Sequence, residues 1–152
     1  MHAITPIDYS IISINGSGYD RFIKVTFLGG EPVVVHLHEF DEYLEPGEQI
    51  QKRRPGDFMQ GILSVDLVRI NYKTDEELRF NQPIEMSSYS QMVVKVIHRI
   101  DEYSLYASTN FQNIPLLIEF ESQIHYKEGD VLYLEGSLEF LDASDLSDIL
   151  EE

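Results

Sequence analysis

Apolar and polar positions alternate with a period of two along most of this chain, and glycine, asparagine and proline break the alternation at short intervals. Successive side chains of a strand point to opposite faces, so this pattern predicts half-buried strands. They fall over residues 9–14, 21–28, 33–40, 58–70, 92–100, 104–109, 115–120 and 130–141. The segment 15–20 reads Asn-Gly-Ser-Gly-Tyr-Asp, and Asn15-Gly16 is a hairpin signal because both residues tolerate positive φ. Residues 29–32 supply the next turn. Residues 41–57 read as a loop with one helical turn before Pro46, and Gly61 as a bulge. Residues 71–91 lose the alternation and gain polar side chains, which makes them the best internal boundary or a long surface connection.

The fold class expected from these elements is mainly β: antiparallel small barrel(s) or a β-sandwich, with a short C-terminal helix. The organisation expected is an N-terminal β-rich half (1–74), a polar connection (75–91), a second β half (92–143) and an acidic helix or tail (144–152), all of a size for one compact domain. The helix rests on Leu146, Ile149 and Leu150, spaced three and four apart. The halves echo each other. Pro32 and Pro115 open comparable strands, and Gly56-Asp57 and Gly129-Asp130 open two others. Duplication and two generic β-meanders both account for that. The second half, with "EGD", a strand, Gly136 and a further strand, resembles an OB-fold. The resemblance implies two OB-like meander halves as one version of the fold.

Charge narrows the function. Acids number 27 and bases 11, a formal net charge of −16, and residues 82–152 hold 14 of the acids but only 3 of the bases. Such a field opposes nucleic-acid binding, which relies on cations displacing phosphate counterions. It favours a basic partner. The chain has no cysteine, so thiolate metal sites and disulfides are excluded. No signal peptide or spanning apolar run is visible, and a cytoplasmic location with no membrane partner is expected.

The strand over 130–141 puts Leu132, Leu134, Leu138 and Phe140 on one face and Tyr133, Glu135 and Glu139 on the other, with a bulge at Gly136 able to swap the later positions. In 115–120, Leu116, Ile118 and Phe120 share a face, leaving Leu117, Glu119 and Glu121 opposite. Glu119, Glu121, Glu135 and Glu139 then form an acidic face with Tyr133 as an anchor. An ordinary solvated surface would look the same from sequence. His36 and His38 project to one side of a strand, as metal ligands must. "GEPVVVHLHEFDE" resembles the first motif of the cupins. That likeness implies a metal site at His36, His38 and Glu42, with Gly30 as the motif glycine, although no downstream histidine completes the second motif. The "KRRPGD" cluster at 52–57 is a solvated loop or a phosphate contact in a divergent OB-type single-strand binder. No phosphate loop and no activated nucleophile is evident.

The expectation is therefore a non-enzymatic, cofactor-free acidic protein that binds a basic protein. Its size and charge resemble those of bacterial immunity proteins, which implies inhibition of a basic toxin or nuclease. The alternatives are a metal-dependent cupin-like enzyme and the single-strand binder.

Overall fold

A computed structural model describes residues 5–110 and 115–145. Among them are nine strands and no α-helix. The expected helix at 144–152 falls mostly outside the described residues, which end in a single 3-10 turn, Ala143–Asp145. The strands are β1 (Ile7–Ser17), β2 (Asp20–Thr26), β3 (Val33–His38), β4 (Phe58–Lys73), β5 (Arg79–Asn81), β6 (Tyr89–Arg99), β7 (Ser104–Ser108), β8 (Leu116–Phe120) and β9 (Val131–Asp142). They form one sheet in the order β1-β2-β3-β9-β4-β8-β7-β6-β5.

Two further pairings, β1 with β4 and β6 with β9, close this order into two rings. The first is β1-β2-β3-β9-β4 and the second is β6-β7-β8-β4-β9. β4 and β9 are long because each serves both rings. The first part of β4 pairs with β1 and its later part with β8, while β9 pairs first with β6 and then with β3. Leucine, isoleucine and valine from all of these strands bury into one core cluster that spans the rings, with Val65, Leu134, Ile118 and Val35 all fully buried.

The halves are built alike in detail. Gly56 N donates to Ile11 O (2.8 Å) and Ile11 N to Asp57 O (2.9 Å); Gly129 N donates to Val96 O (2.9 Å) and Val96 N to Asp130 O (2.8 Å). Each aspartate side chain caps its own turn, accepting from Arg54 N or Lys127 N at 3.0 Å. Both glycines hold left-handed φ (94° and 90°), which is why glycine precedes aspartate in each turn. The strand irregularities that follow Ile11 and Val96 also match.

Several expectations need correction. The sheet is mixed: β3 pairs with β9, and β4 with β8, in parallel. Only pairings between chain neighbours leave a hairpin signature, and parallel pairs need a long crossover that has none. The first hairpin reverses at Gly18-Tyr19, three residues beyond Asn15-Gly16. Gly18 takes the left-handed φ (58°), whereas Gly16 makes room for Arg21, whose Cδ would lie 2.8 Å from an added Cβ. In place of a helical turn before Pro46, Leu44 forms a bridge with Gly18. Gly61 is no bulge; it keeps register with Ile7 and Asp142 where a side chain would strike Phe140. Gly136 does not swap faces either, and burial alternates through it from Leu132 to Phe140. The 75–91 connection contains the short strand β5 and the start of β6.

Candidate functional site

Alternation along β9 buries Leu132, Leu134, Leu138 and Phe140 and turns Tyr133, Glu135, Ser137 and Glu139 outward. β8 buries Leu116, Ile118 and Phe120 and turns Glu119 outward, with Glu121 exposed just beyond its end. Where the rings join, Ser64 of β4 stands opposite Glu139 and Asp66 opposite Ser137. Each serine donates to the acid two residues on, Ser64 Oγ to Asp66 Oδ1 (2.8 Å) and Ser137 Oγ to Glu139 Oε2 (2.5 Å). His36, opposite Glu139 in the parallel pair, spans two carboxylates. Its Nδ1 lies 2.7 Å from Glu139 Oε1 and its Nε2 2.8 Å from Asp20 Oδ1.

The carboxylates here feel one another. Burial raises the pKa of Asp66, and the charges of Glu139 and Glu121 add to it against the Ser64 hydrogen bond and nearby His36. Burial also raises that of Glu119, with Asp66 and Asp101 adding repulsion. The Glu139 hydrogen bond, reinforced by Asp20 and opposed by burial, lifts His36 to about 9, so the ring is an imidazolium at neutral pH. Among the described residues, no lysine or arginine forms an ion pair with Asp66, Glu119, Glu121, Glu135 or Glu139.

Glu135 lies four residues before Glu139 on the same face of β9, among tyrosines. Tyr133 Oη donates to its Oε2 (2.6 Å), Tyr89 Oη donates to its Oε1, and the two bonds hold its carboxyl below the usual range. Tyr133 is raised to about 12, by burial and then by Glu135. Its ring stacks on Tyr72 (5.2 Å between centroids) and carries the Arg79 guanidinium at 5.5 Å. Beside it an open depression of about 350 Å³ is lined by Leu67, Arg69, Ile70, Tyr89 and Glu135. Leu67 and Ile70 are exposed there, and Leu67 holds a left-handed φ of 59° in the irregular stretch of β4.

The predicted partner-binding residues therefore form two adjoining groups: Glu119, Glu121 and Glu139 around Asp66, and Glu135 with Tyr133. The metal-ligand set is not brought together. Glu42 accepts from Arg21, from Gln51 N (2.9 Å) and from Lys52 N (3.2 Å); these outweigh burial and lower its pKa. His38 packs on Phe40 (4.4 Å) and Tyr19 (5.3 Å). Among the described residues no group of three or more His, Cys, Asp or Glu has the geometry to hold a metal ion. Two of the three cations of the basic cluster are engaged internally: Lys52 binds Glu39 and Asp41, and Arg53 binds Glu39 and Asp142.

Sequence reasoning passed over Asp66, Asp20 and a row of rings on the β2–β3 face. The Ser-x-acid pattern at 64–66 and 137–139 was a readable sign of the first. In the row, Tyr43 meets Tyr19 edge-on at 4.9 Å, Tyr19 meets His38, His38 meets Phe40, and Phe22 lies 5.1 Å from His36. Arg21, wholly buried, ties this corner together by donating to Gly18 O and Asp20 O (3.0 Å each) and to Glu42. No helix among the described residues is long and apolar enough to cross a membrane. Comparison of the chain with protein-family models, curated proteins and solved structures found no match.

Proposed function

We propose that this is a non-enzymatic docking protein whose outer face at the ring junction receives a basic protein, most concretely as an inhibitor of a basic toxin or nuclease. One observation carries it: among the described residues, Asp66, Glu119, Glu121 and Glu139 crowd together with no lysine or arginine partner, and the one cation bonded to any of them is the His36 imidazolium, which Glu139 shares with Asp20. Like charges gathered on one sheet face repel and destabilise it. A complementary cationic surface removes that repulsion and accelerates encounter. Tyr133, Tyr72, Leu67 and Ile70 beside the carboxylates supply the apolar and aromatic contact area from which binding hot spots are made. At the level of fold, each five-stranded ring reads as an OB-like unit, with the acidic face on β8 and β9 of the second.

Affinity capture with the wild-type chain and with Glu119→Gln/Glu121→Gln/Glu139→Gln side by side, followed by stopped-flow association of whatever the wild type alone retains, tests this. Electrostatic steering requires a basic partner whose on-rate falls about tenfold or more from low to high salt. An acidic partner, or an on-rate indifferent to salt, contradicts it.

A further inference from the structure

The acidic face does not end at Glu139. His36 links Glu139 to Asp20, and Asp20 stands opposite His38 in the β2–β3 pair, so the face continues onto the row of rings. Phe40 is 77% exposed, and Tyr43 and Tyr19 are exposed as well. Two carboxylates stand among them, Asp20 and Asp41, with side chains 57% and 70% exposed. The cations of this corner are all engaged: Arg21 on Glu42, Arg53 on Glu39 and Asp142, Lys52 between Glu39 and Asp41 Oδ1, and the His36 imidazolium on Asp20 Oδ1. Asp20 and Asp41 are thus each bonded through one oxygen, and their exposure leaves them, with the exposed rings beside them, within reach of a further cation from outside.

From this juxtaposition we propose that the partner's contact element is an arginine-rich segment, its guanidinium groups stacking on Tyr19, Phe40 and Tyr43 while bonding the carboxylates. The proposal rests on the docking reading and narrows it. Guanidinium is planar, weakly hydrated and forked, so one group lies on a ring and donates to a carboxylate at the same time. A lysine ammonium is a strongly hydrated point charge that serves the carboxylates alone, and cation–π contacts favour arginine. The acidic field excludes the other common user of exposed rings, a nucleic-acid strand.

The probes are fluorescein-labelled oligo-arginine and oligo-lysine peptides of equal length, titrated with the full chain and read by anisotropy. Arginine stacking predicts that the unmodified protein binds oligo-arginine about fivefold or more tighter than oligo-lysine. In Phe40→Ala/Tyr43→Ala that preference falls severalfold while oligo-lysine affinity is kept within about twofold, since no carboxylate is touched. Equal affinities in the unmodified protein, or a preference unchanged in the ring variant, overturn the proposal. Undiminished binding of both peptides to Glu119→Gln/Glu121→Gln/Glu139→Gln overturns the acidic docking face instead, and a preference that still depends on the rings would then leave them as an arginine site by themselves.

Discussion

The His36 bridge gives the most exacting test of the electrostatics at the ring junction. Its folded pKa of about 9 stands against 6.5 for a free histidine, chiefly because Glu139 accepts its Nδ1–H and, after the opposing effect of burial, because Asp20 accepts its Nε2–H. That difference corresponds to roughly 3 kcal/mol at most. Asp20 is more than half exposed and screened by solvent, so a realistic contribution is about 1–2 kcal/mol. Because the folded pKa is the higher one, this stability is fully present below pH 6.5 and is lost as pH rises toward 9. Urea unfolding of wild type and His36→Gln from about pH 6 to about pH 10 reads the difference directly. Tyrosine titration occurs in both proteins and largely cancels. The stability gap should be widest near pH 6 and shrink by about 1–2 kcal/mol across the range. A gap constant with pH would show that the imidazolium is not held by its two carboxylates.

Other consequences follow from single contacts. Gln82 mimics a peptide unit, its Oε1 accepting from Val34 N (2.8 Å) and its Nε2 donating to Val34 O (2.7 Å). Gln82→Ala leaves both groups of a buried residue unpaired and should cost about 1–3 kcal/mol in urea unfolding, against no effect if water replaces the amide. At Gly136 a Cβ would lie 2.7 Å from Asp66 O and Val65 Cγ1, so Gly136→Ala should cost about 1–3 kcal/mol or more by thermal unfolding. Leu67 pays for a left-handed φ while exposed; Leu67→Gly should therefore leave the melting temperature unchanged or raise it, with a relief of about 1 kcal/mol. A marked fall would mean that its side chain packs in the folded protein.

Eight of the nine strands were readable from period-two alternation, and so was the inward or outward direction of each residue from Leu132 to Glu135; the direction beyond Gly136 hung on whether that glycine bulged, which it does not. Burial on one face writes that pattern into the chain. β5 was not readable: three residues, Arg79–Asn81, are too few to alternate detectably and pair only with β6. Nor were the parallel pairs or the sharing of β4 and β9 between rings, because these bring together residues far apart in the chain. The echo between the halves did mark equivalent turns, at Gly56-Asp57 and Gly129-Asp130. At the site, Glu119, Glu121 and Glu139 could be placed on one side from their own strands. Asp66 could not, since it meets them only through ring closure, and neither could the engagement of Glu42 by Arg21 and the amides of Gln51 and Lys52, or of His36 by Glu139 and Asp20.

The claim that matters most is that position on one face, rather than total charge, makes this acidic protein a receptor for cations. Oligo-arginine affinity should therefore be compared between Glu119→Gln/Glu121→Gln/Glu139→Gln and Asp75→Asn/Glu77→Gln/Glu85→Gln, which removes the same number of carboxylates from exposed positions outside the face. A docking face predicts that the first variant loses about tenfold or more and the second about twofold or less. Equal losses in both would mean that the chain attracts cations only through its net charge.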